Sequence, residues 1–359
     1  MRPGSLFGEK EKLFVQKRET LEGVREEERM LRVHAFVRGA AIAATAAFTT
    51  LMTVHGAMAE DVNVRFSWKL KGEYGFFYLA QKEGLYEKAG LNVRFGEGAG
   101  AQAALGALIQ GQEDIAVVPG IFAVTAIQKG MPVKIVALYQ PAAPVVLISH
   151  ADNPVKVPAD MEGKSIASAV GETSTAYLGV FCAENKIDCG KINKIQMDAQ
   201  TRIPQFLQKK VDVVGVYRTS DLPVLKEKAT EEFATLDLPE YGLKVPGLAL
   251  VVSAEAVEKN AAKLREFLAA TRQGIEHSKK DPQAATAALK AVWQAGPSDS
   301  VIQEQIEATS VSIEQPEGKP VGWIEETAIT DALKLIASVE DIGEAKPTET
   351  FYSNELLSQ

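Results

Sequence analysis

Trp68, Glu73 and Tyr74 are the first residues whose types and spacing suggest a binding surface. They close an alternating segment in which Val64, Phe66 and Trp68 are apolar while Arg65 and Ser67 are polar, which is the period of a strand. Residues 76–86 then carry apolar side chains at helical spacing. In an open α/β sheet, ligands lie in the crevice beyond the carboxyl ends of the strands, so the loop over 69–75 would present Trp68, Glu73 and Tyr74 to such a crevice. Both rings offer flat faces for stacking a flat ligand. The plainer alternative is that they only seal the end of the sheet.

Residues able to do covalent chemistry are sparse. The chain has four histidines. His34 and His55 fall in an N-terminal export region, His150 at a hinge and His277 in a helix, none beside a Ser or Cys in a catalytic arrangement. The phrases G-x-S-x-G, Walker A and H-E-x-x-H are missing from the sequence. No His or Cys cluster supports a metal, and no cofactor is expected.

The elements that must position the first loop begin after a leader. Residues 1–29 are charged and read as a non-native extension from a mis-assigned start. Residues 30–59 have the order of a signal peptide: Arg32 and Arg38, an apolar run over 39–54, then Ala57-Met58-Ala59, with cleavage after Ala59. The run is rich in Ala and Thr and shorter than the ~20 residues that span a bilayer, so export is expected over anchoring. Residues 1–59 hold 9 of the 39 Lys+Arg and 7 of the 47 Asp+Glu, which leaves 30 and 40 and a formal charge of −10. Such an excess of acid argues against nucleic acid as a partner. Cys182 and Cys189, the only cysteines, favour a disulfide over two free thiols in an exported chain.

The 300 residues after the leader exceed what one core holds comfortably, so two lobes are expected. Strand and helix alternate over 91–95, 101–110, 114–118, 122–129 and 133–139, the rhythm of a parallel α/β sheet. A short apolar strand at 145–149 and Pro-rich punctuation read as a crossing into a second lobe. There the rhythm restarts over 165–169, 175–185, 192–197, 202–209 and 211–217. The apolar strand at 248–252 would return the chain, which makes a two-strand hinge: lobe 1 over 60–146 and 248–359, lobe 2 over 147–247. Helices follow over 256–278, 282–294, 298–312 and 323–338.

Across this mature region the chain resembles the NMT1/THI5-like periplasmic solute-binding proteins, the binding subunits of nitrate, sulfonate, taurine and thiamine-pyrimidine ABC importers. The matching phrases are Gly75-Phe-Phe-Tyr-Leu-Ala80, then Gly84-Leu-Tyr-Glu-Lys-Ala-Gly90-Leu-Asn-Val93, then residues 103–111 followed by Asp114, and Met161-Glu162-Gly163-Lys164. The resemblance implies an α/β, type II two-lobed fold that closes on a small-molecule ligand and presents it to a permease and its ATPase, as a periplasmic monomer.

It also carries over loop residues. In lobe 1 these are Trp68, Glu73 and Tyr74, then Gly98, Gly100 and Gln102, then Pro119 and Gly120, then Tyr139 and Gln140. In lobe 2 they are Gly171, Thr173, Ser174 and Thr175, then Tyr217, Arg218 and Asp221. Ser or Thr at a helix start leaves N–H groups for an anionic ligand group, although every helix needs a cap. Gly98 and Gly100 would let backbone approach a ligand, or merely form a tight turn. Arg218 would pair with a carboxylate and Asp221 accept from a ring nitrogen or amine, unless they bridge the lobes.

Trp68, Tyr74, Tyr139 and Tyr217 together are more aromatic than nitrate or a simple sulfonate needs. They favour a flat solute, pyrimidine-like or an aromatic acid, over a sulfonate. The fungal pyrimidine-synthesising branch carries a cysteine-rich motif that this chain lacks, which weakens an enzymatic reading. The alternatives to an importer subunit are a clamshell enzyme of pyrimidine or thiamine-precursor metabolism, and a solute sensor for a membrane receptor.

Overall fold

The computed structural model describes residues 59–229 and 231–358. The expected extension, and the expected export signal as far as Met58, lie outside the described residues. Among the described residues no helix is long and apolar enough to cross a membrane.

Among the described residues, ten strands form two sheets of five. The first holds β1 (Glu60–Phe66), β2 (Leu91–Gly96), β3 (Ile115–Pro119), β4 (Val133–Leu138) and β10 (Leu248–Ser253), in the order β2-β1-β3-β10-β4. The second holds β5 (Val145–His150), β6 (Ser165–Ser168), β7 (Asn193–Gln196), β8 (Val213–Tyr217) and β9 (Phe233–Asp237), in the order β7-β6-β8-β5-β9. The two orders are equivalent, so the lobes are built on one plan.

Each sheet is mixed, where the strand and helix rhythm predicted parallel strands. β1 runs parallel to β2 and β3, but β10 is antiparallel to both β3 and β4. Likewise β6 runs parallel to β7 and β8, and β5 is antiparallel to β8 and β9. The cause is the crossing itself. A strand that enters from the other lobe starts at the end where its neighbours finish, so it must run against them. β5 pairs with the second sheet from its first residue, Val145 opposite Tyr217, so the boundary expected at 146 lies before the strand rather than inside it.

The crossing segments are bonded to each other. Gly247 N donates to the Gln140 carbonyl at 2.8 Å, Ala143 N to the Val245 carbonyl at 2.7 Å, and Leu248 N to Gln140 Oε1 at 3.2 Å. Gln140 Nε2 reaches Ser312 Oγ at 2.7 Å.

Helices cover the sheets. The helical pattern over 76–86 is two helices, α1 (Gly75–Lys82) and α2 (Leu85–Lys88), broken at Gly84, whose φ of 67° a side chain rarely adopts. α3 (Ala101–Ile109) and α4 (Gly120–Gln128) complete the first lobe's crossovers. The second lobe carries α5 (Thr173–Ala176), α6 (Leu178–Asn185), α7 (Arg202–Leu207) and α8 (Asp221–Lys228). Neither α8 nor β9 was expected from the sequence, because both are short and have mixed polarity. Then come α9 (Ala256–Lys259), α10 (Ala261–Lys280), α11 (Pro282–Val292), α12 (Asp299–Ser312) and α13 (Glu326–Ala337). Cys182 in α6 and Cys189 beyond it form a disulfide, with Cα atoms 5.6 Å apart.

The first sheet is buried on both faces at β3, β4 and β10, while β1 and β2 bury one face and leave Asn92 and Arg94 exposed on the other. Val62, Val64 and Phe66 of β1 point into a cluster with Phe77, Tyr86, Phe267 and Leu289 from α1, α2, α10 and α11. Ala116 and Val118 of β3 point to the other face, against α3 and α4. Burying a side chain of this size contributes about 1.5–3 kcal/mol each.

Gly98 lies where the loop after β2 folds under the loop after β1. A Cβ there would stand 2.0 Å from the Phe66 carbonyl oxygen, a backbone atom that cannot yield. Gly98→Ala is therefore expected to cost about 1–3 kcal/mol in urea unfolding, and an unchanged midpoint would show that this approach is not required.

Candidate functional site

The carboxyl ends of β1, β3, β6 and β8 all face the space between the sheets, and the loops that follow them wall a cavity of about 50 Å³. From the first lobe come Ser67, Trp68, Lys71 and Glu73 after β1, Pro119 at the end of β3, and Leu248 at the start of β10. Gly171, Glu172, Thr173 and Ser174 after β6, Arg202 at the start of α7, and Gly215, Val216, Tyr217 and Asp221 around the end of β8 form the opposite wall, with Val145 of β5. At roughly 10–15 Å³ for each water-sized sphere, the cavity holds only a few heavy atoms as the lobes now stand. A larger solute requires them to part.

An ion pair stands at the centre. Lys71 Nζ lies 2.6 Å from Glu73 Oε2, and the two side chains are 13% and 3% exposed. The same ammonium sits 4.6 Å from the centre of the Tyr217 ring across the cleft and 5.4 Å from that of Tyr74. Burial alone would lower the Lys71 pKa, but the Glu73 carboxylate, then Tyr74, Tyr217 and Asp221, more than offset it, so the pKa is raised. Burial raises both the Tyr74 and the Tyr217 phenols, against the opposing pull of Lys71.

Arg202 is the second cation and is 5% exposed. Its Nη1 donates to the Gly215 carbonyl at 2.8 Å and lies 3.9 Å from Glu172 Oε2, while its guanidinium carbon is 5.9 Å from the Trp68 ring centre. Glu172 caps α5, accepting from Thr175 N at 3.1 Å, from Thr175 Oγ1 at 2.6 Å and from Ser174 Oγ. Tyr217 Oη meets Thr173 Oγ1 at 3.1 Å, and Asp221 Oδ2 accepts from Tyr217 N at 2.8 Å. Two buried polar atoms on the walls have no partner: Glu73 Oε1 and Arg202 Nε.

Of the residues expected from the sequence, Trp68, Glu73, Pro119, Gly171, Thr173, Ser174, Tyr217 and Asp221 line the cavity. The others lie elsewhere for definite reasons. Tyr74 turns into the core and stacks on Phe66 at 4.0 Å, and Tyr139 is packed edge-on against Phe76. Gln140 is a hinge residue, and Gly120 starts α4 with its N–H on the Gly247 carbonyl at 2.5 Å. Gly98 and Gly100 close on backbone instead, the Gly100 N–H reaching the Ser67 carbonyl at 2.7 Å. Gly100 and Gln102 abut Gly171 of the other lobe, where φ is +77°. The Thr175 hydroxyl is taken up by Glu172 and Ser168. Arg218 points outward to Asp237.

Lys71, Glu172 and Arg202 are lining charges that sequence reasoning did not single out. Lys71 lies in the loop already expected at the cleft, and its two-residue offset from Glu73 was the available signal. Arg202, at a helix start in the second lobe, gave none.

The lobes touch on both sides of the cavity. Gln305 of α12 accepts from Gly72 N at 2.8 Å and donates to the Ser220 carbonyl, which ties the Lys71 to Glu73 turn to the start of α8. Tyr177 Oη meets Thr125 Oγ1 at 2.9 Å and donates to the Ile121 carbonyl at 3.3 Å.

Two mixed five-stranded sheets that face a shared cleft, joined by two crossings, are the fold of the periplasmic binding proteins. Residues 72–285 match the family model described as NMT1/THI5 like, and the chain belongs to that family. It is similar to the alkanesulfonate-binding protein SsuA from Xanthomonas axonopodis pv. citri bound to MOPS, at 14% identity and a TM-score of 0.62 over 83% of this chain and 96% of that one. It is also similar to the periplasmic nitrate-binding protein NrtA from Synechocystis PCC 6803, at 13% identity and a TM-score of 0.64 over 83% and 87%. The ligand-binding component of an ABC-type import system from Staphylococcus aureus with zinc bound aligns at 13% identity, with a TM-score of 0.63 over 83% and 98%. No curated protein matches the sequence significantly.

The raised groups at the cleft, together with the buried phenols of Tyr78, Tyr86, Tyr139 and Tyr177 elsewhere, set a pH dependence. Unfolded tyrosine and lysine release their protons near pH 10 to 10.5, whereas Lys71, Tyr74 and Tyr217 hold theirs to higher pH in the folded chain. Above about pH 10 the folded state therefore binds more protons than the unfolded one, and each rise in pH favours unfolding. The urea midpoint is expected to be level below pH 9.5 and to fall by pH 11. A midpoint unchanged over that interval would contradict the burial of these groups.

Proposed function

We propose that this protein is the substrate-binding subunit of an ABC-type importer, which captures a small organic solute between its lobes and delivers it to a membrane permease and its ATPase. The observation that carries this reading is the cavity, whose walls come from the carboxyl-end loops of both sheets, so that one solute would contact both lobes. Ligand binding then draws its energy from contacts that exist only when the lobes meet, and shifts the population from open to closed. The likeness to importer binding proteins supports the same reading.

The protein acts in the periplasm as a monomer, after cleavage following Ala59. The start of β1 at Glu60 supports that cleavage point. A binding role without turnover is favoured by the position of the histidines. His150 is stacked on Phe206 at 4.1 Å within the second lobe, and His277 lies 2.5 Å from Glu83 on the first, both away from the cavity walls. Stacking against a flat solute rests on Trp68 and Tyr217, since Tyr74 and Tyr139 are core residues.

Native mass spectrometry of the protein as purified, followed by calorimetric titration of the solute recovered, tests the reading. A bound solute recovered unchanged and a smaller radius of gyration on adding it back are expected, and a chemically converted solute would overturn it. Trp68→Ala is expected to weaken binding about tenfold or more, about 1.4 kcal/mol or above. Equal affinity in that variant would remove Trp68 from the site.

A further inference from the structure

The charges on the cavity walls bear on what the cleft accepts. Three carboxylates, Glu73, Glu172 and Asp221, face two cations, Lys71 and Arg202, a formal balance of −1. Both cations are already engaged, Lys71 by Glu73 at 2.6 Å and Arg202 by the Gly215 carbonyl at 2.8 Å with Glu172 at 3.9 Å. A bare anion entering here would add a second negative charge to a buried site in surplus of carboxylate, where like charges repel strongly because little water screens them.

The unpartnered atoms complete the pattern. Glu73 is 2% exposed and its Oε1 lacks a donor, while Arg202 is 5% exposed and its Nε lacks an acceptor. Both atoms are buried with the lobes as they stand, so a ligand reaches them only as the lobes part, and one that satisfies both gains by binding. The two atoms belong to opposite lobes, so such a ligand would also draw the lobes together.

Resting on the solute-capture reading above, we propose that the ligand is a small nitrogenous solute of zero or positive net charge. It gives an N–H to Glu73 Oε1 and an acceptor atom to Arg202 Nε, and free sulfonates, nitrate and aromatic acid anions are poor ligands. The place of the Lys71 ammonium is in keeping with this, because the cleft already holds one cation against a carboxylate and over the face of Tyr217.

Matched pairs of probes separate charge from shape. Thermal unfolding with ethanolamine against isethionate, and with benzamidine against benzoate, holds skeleton and size nearly constant while the charge changes sign. The nitrogenous member of at least one pair is expected to raise the unfolding temperature and its anionic partner to leave it unchanged. Greater stabilisation by an anion would overturn the charge assignment and leave solute capture standing. Stabilisation by no probe would overturn the assignment, and a protein that also yields no bound solute in native mass spectrometry would overturn solute capture with it.

Glu73→Gln keeps the shape and removes the charge, and is expected to weaken the nitrogenous probe at least tenfold. Because that variant leaves Lys71 without its partner, the double variant Lys71→Met with Glu73→Gln is measured beside it. Retention of full affinity for the nitrogenous probe in both, with native circular dichroism, would overturn the role of Glu73.

Discussion

The fold depends on the chain crossing twice at one place. The segments 139–144 and 243–247 are hydrogen-bonded to each other, with Gln140 offering its carbonyl to Gly247 and its side chain to Leu248 and Ser312. Because both crossings lie at the same end of both sheets, the carboxyl ends of β1, β3, β6 and β8 are turned toward one another. The strands β5 and β10 start where their neighbours stop and run antiparallel. The cleft, its loops and the mixed sheets are consequences of this single constraint.

The cleft is rich in charge. Its walls combine an ion pair, a guanidinium beside an indole, a phenol and two more carboxylates in a small volume. Groups of this kind are tolerated away from water only where charge is balanced and hydrogen bonds are made, and most here are. The exceptions, Glu73 Oε1 and Arg202 Nε, stand on opposite walls. In the proposed mode of capture, a ligand that satisfied both atoms would touch both lobes.

Much of this was legible in the residues. The alternation of Val64, Phe66 and Trp68 marked β1, and Gly90, Gly111 and Gly130 marked helix ends, each with positive φ in the structure. The apolar runs at 145–149 and 248–252 marked the two strands through which the chain changes sheet. The loop after β1 was placed at the cleft with Trp68 and Glu73 in it. Tyr74, expected at the cleft beside them, lies in the core instead, because a 3-10 turn over Gly72–Tyr74 rotates it back onto Phe66, and no periodicity in so short a segment predicts that turn. Arg218 followed an apolar strand as a cleft residue should, yet its neighbour in space is Asp237 on β9, a strand too mixed in polarity to be seen beforehand.

The sequence by itself determined most of the strands and helices, α8 and β9 excepted, that the chain crosses between two lobes, and which loops follow the strands it marked, because these depend on local periodicity, turn residues and chain order. Only the tertiary structure decided which side chains of those loops meet. Lys71, Glu172 and Arg202 came to the cavity, and Tyr74, Tyr139 and Gln140 left it for the core and hinge. Partnerships such as Lys71 with Tyr217 or Arg202 with Trp68 join residues far apart in sequence and in different lobes. Their distances are set by how two sheets are held across a hinge, and no local pattern encodes that.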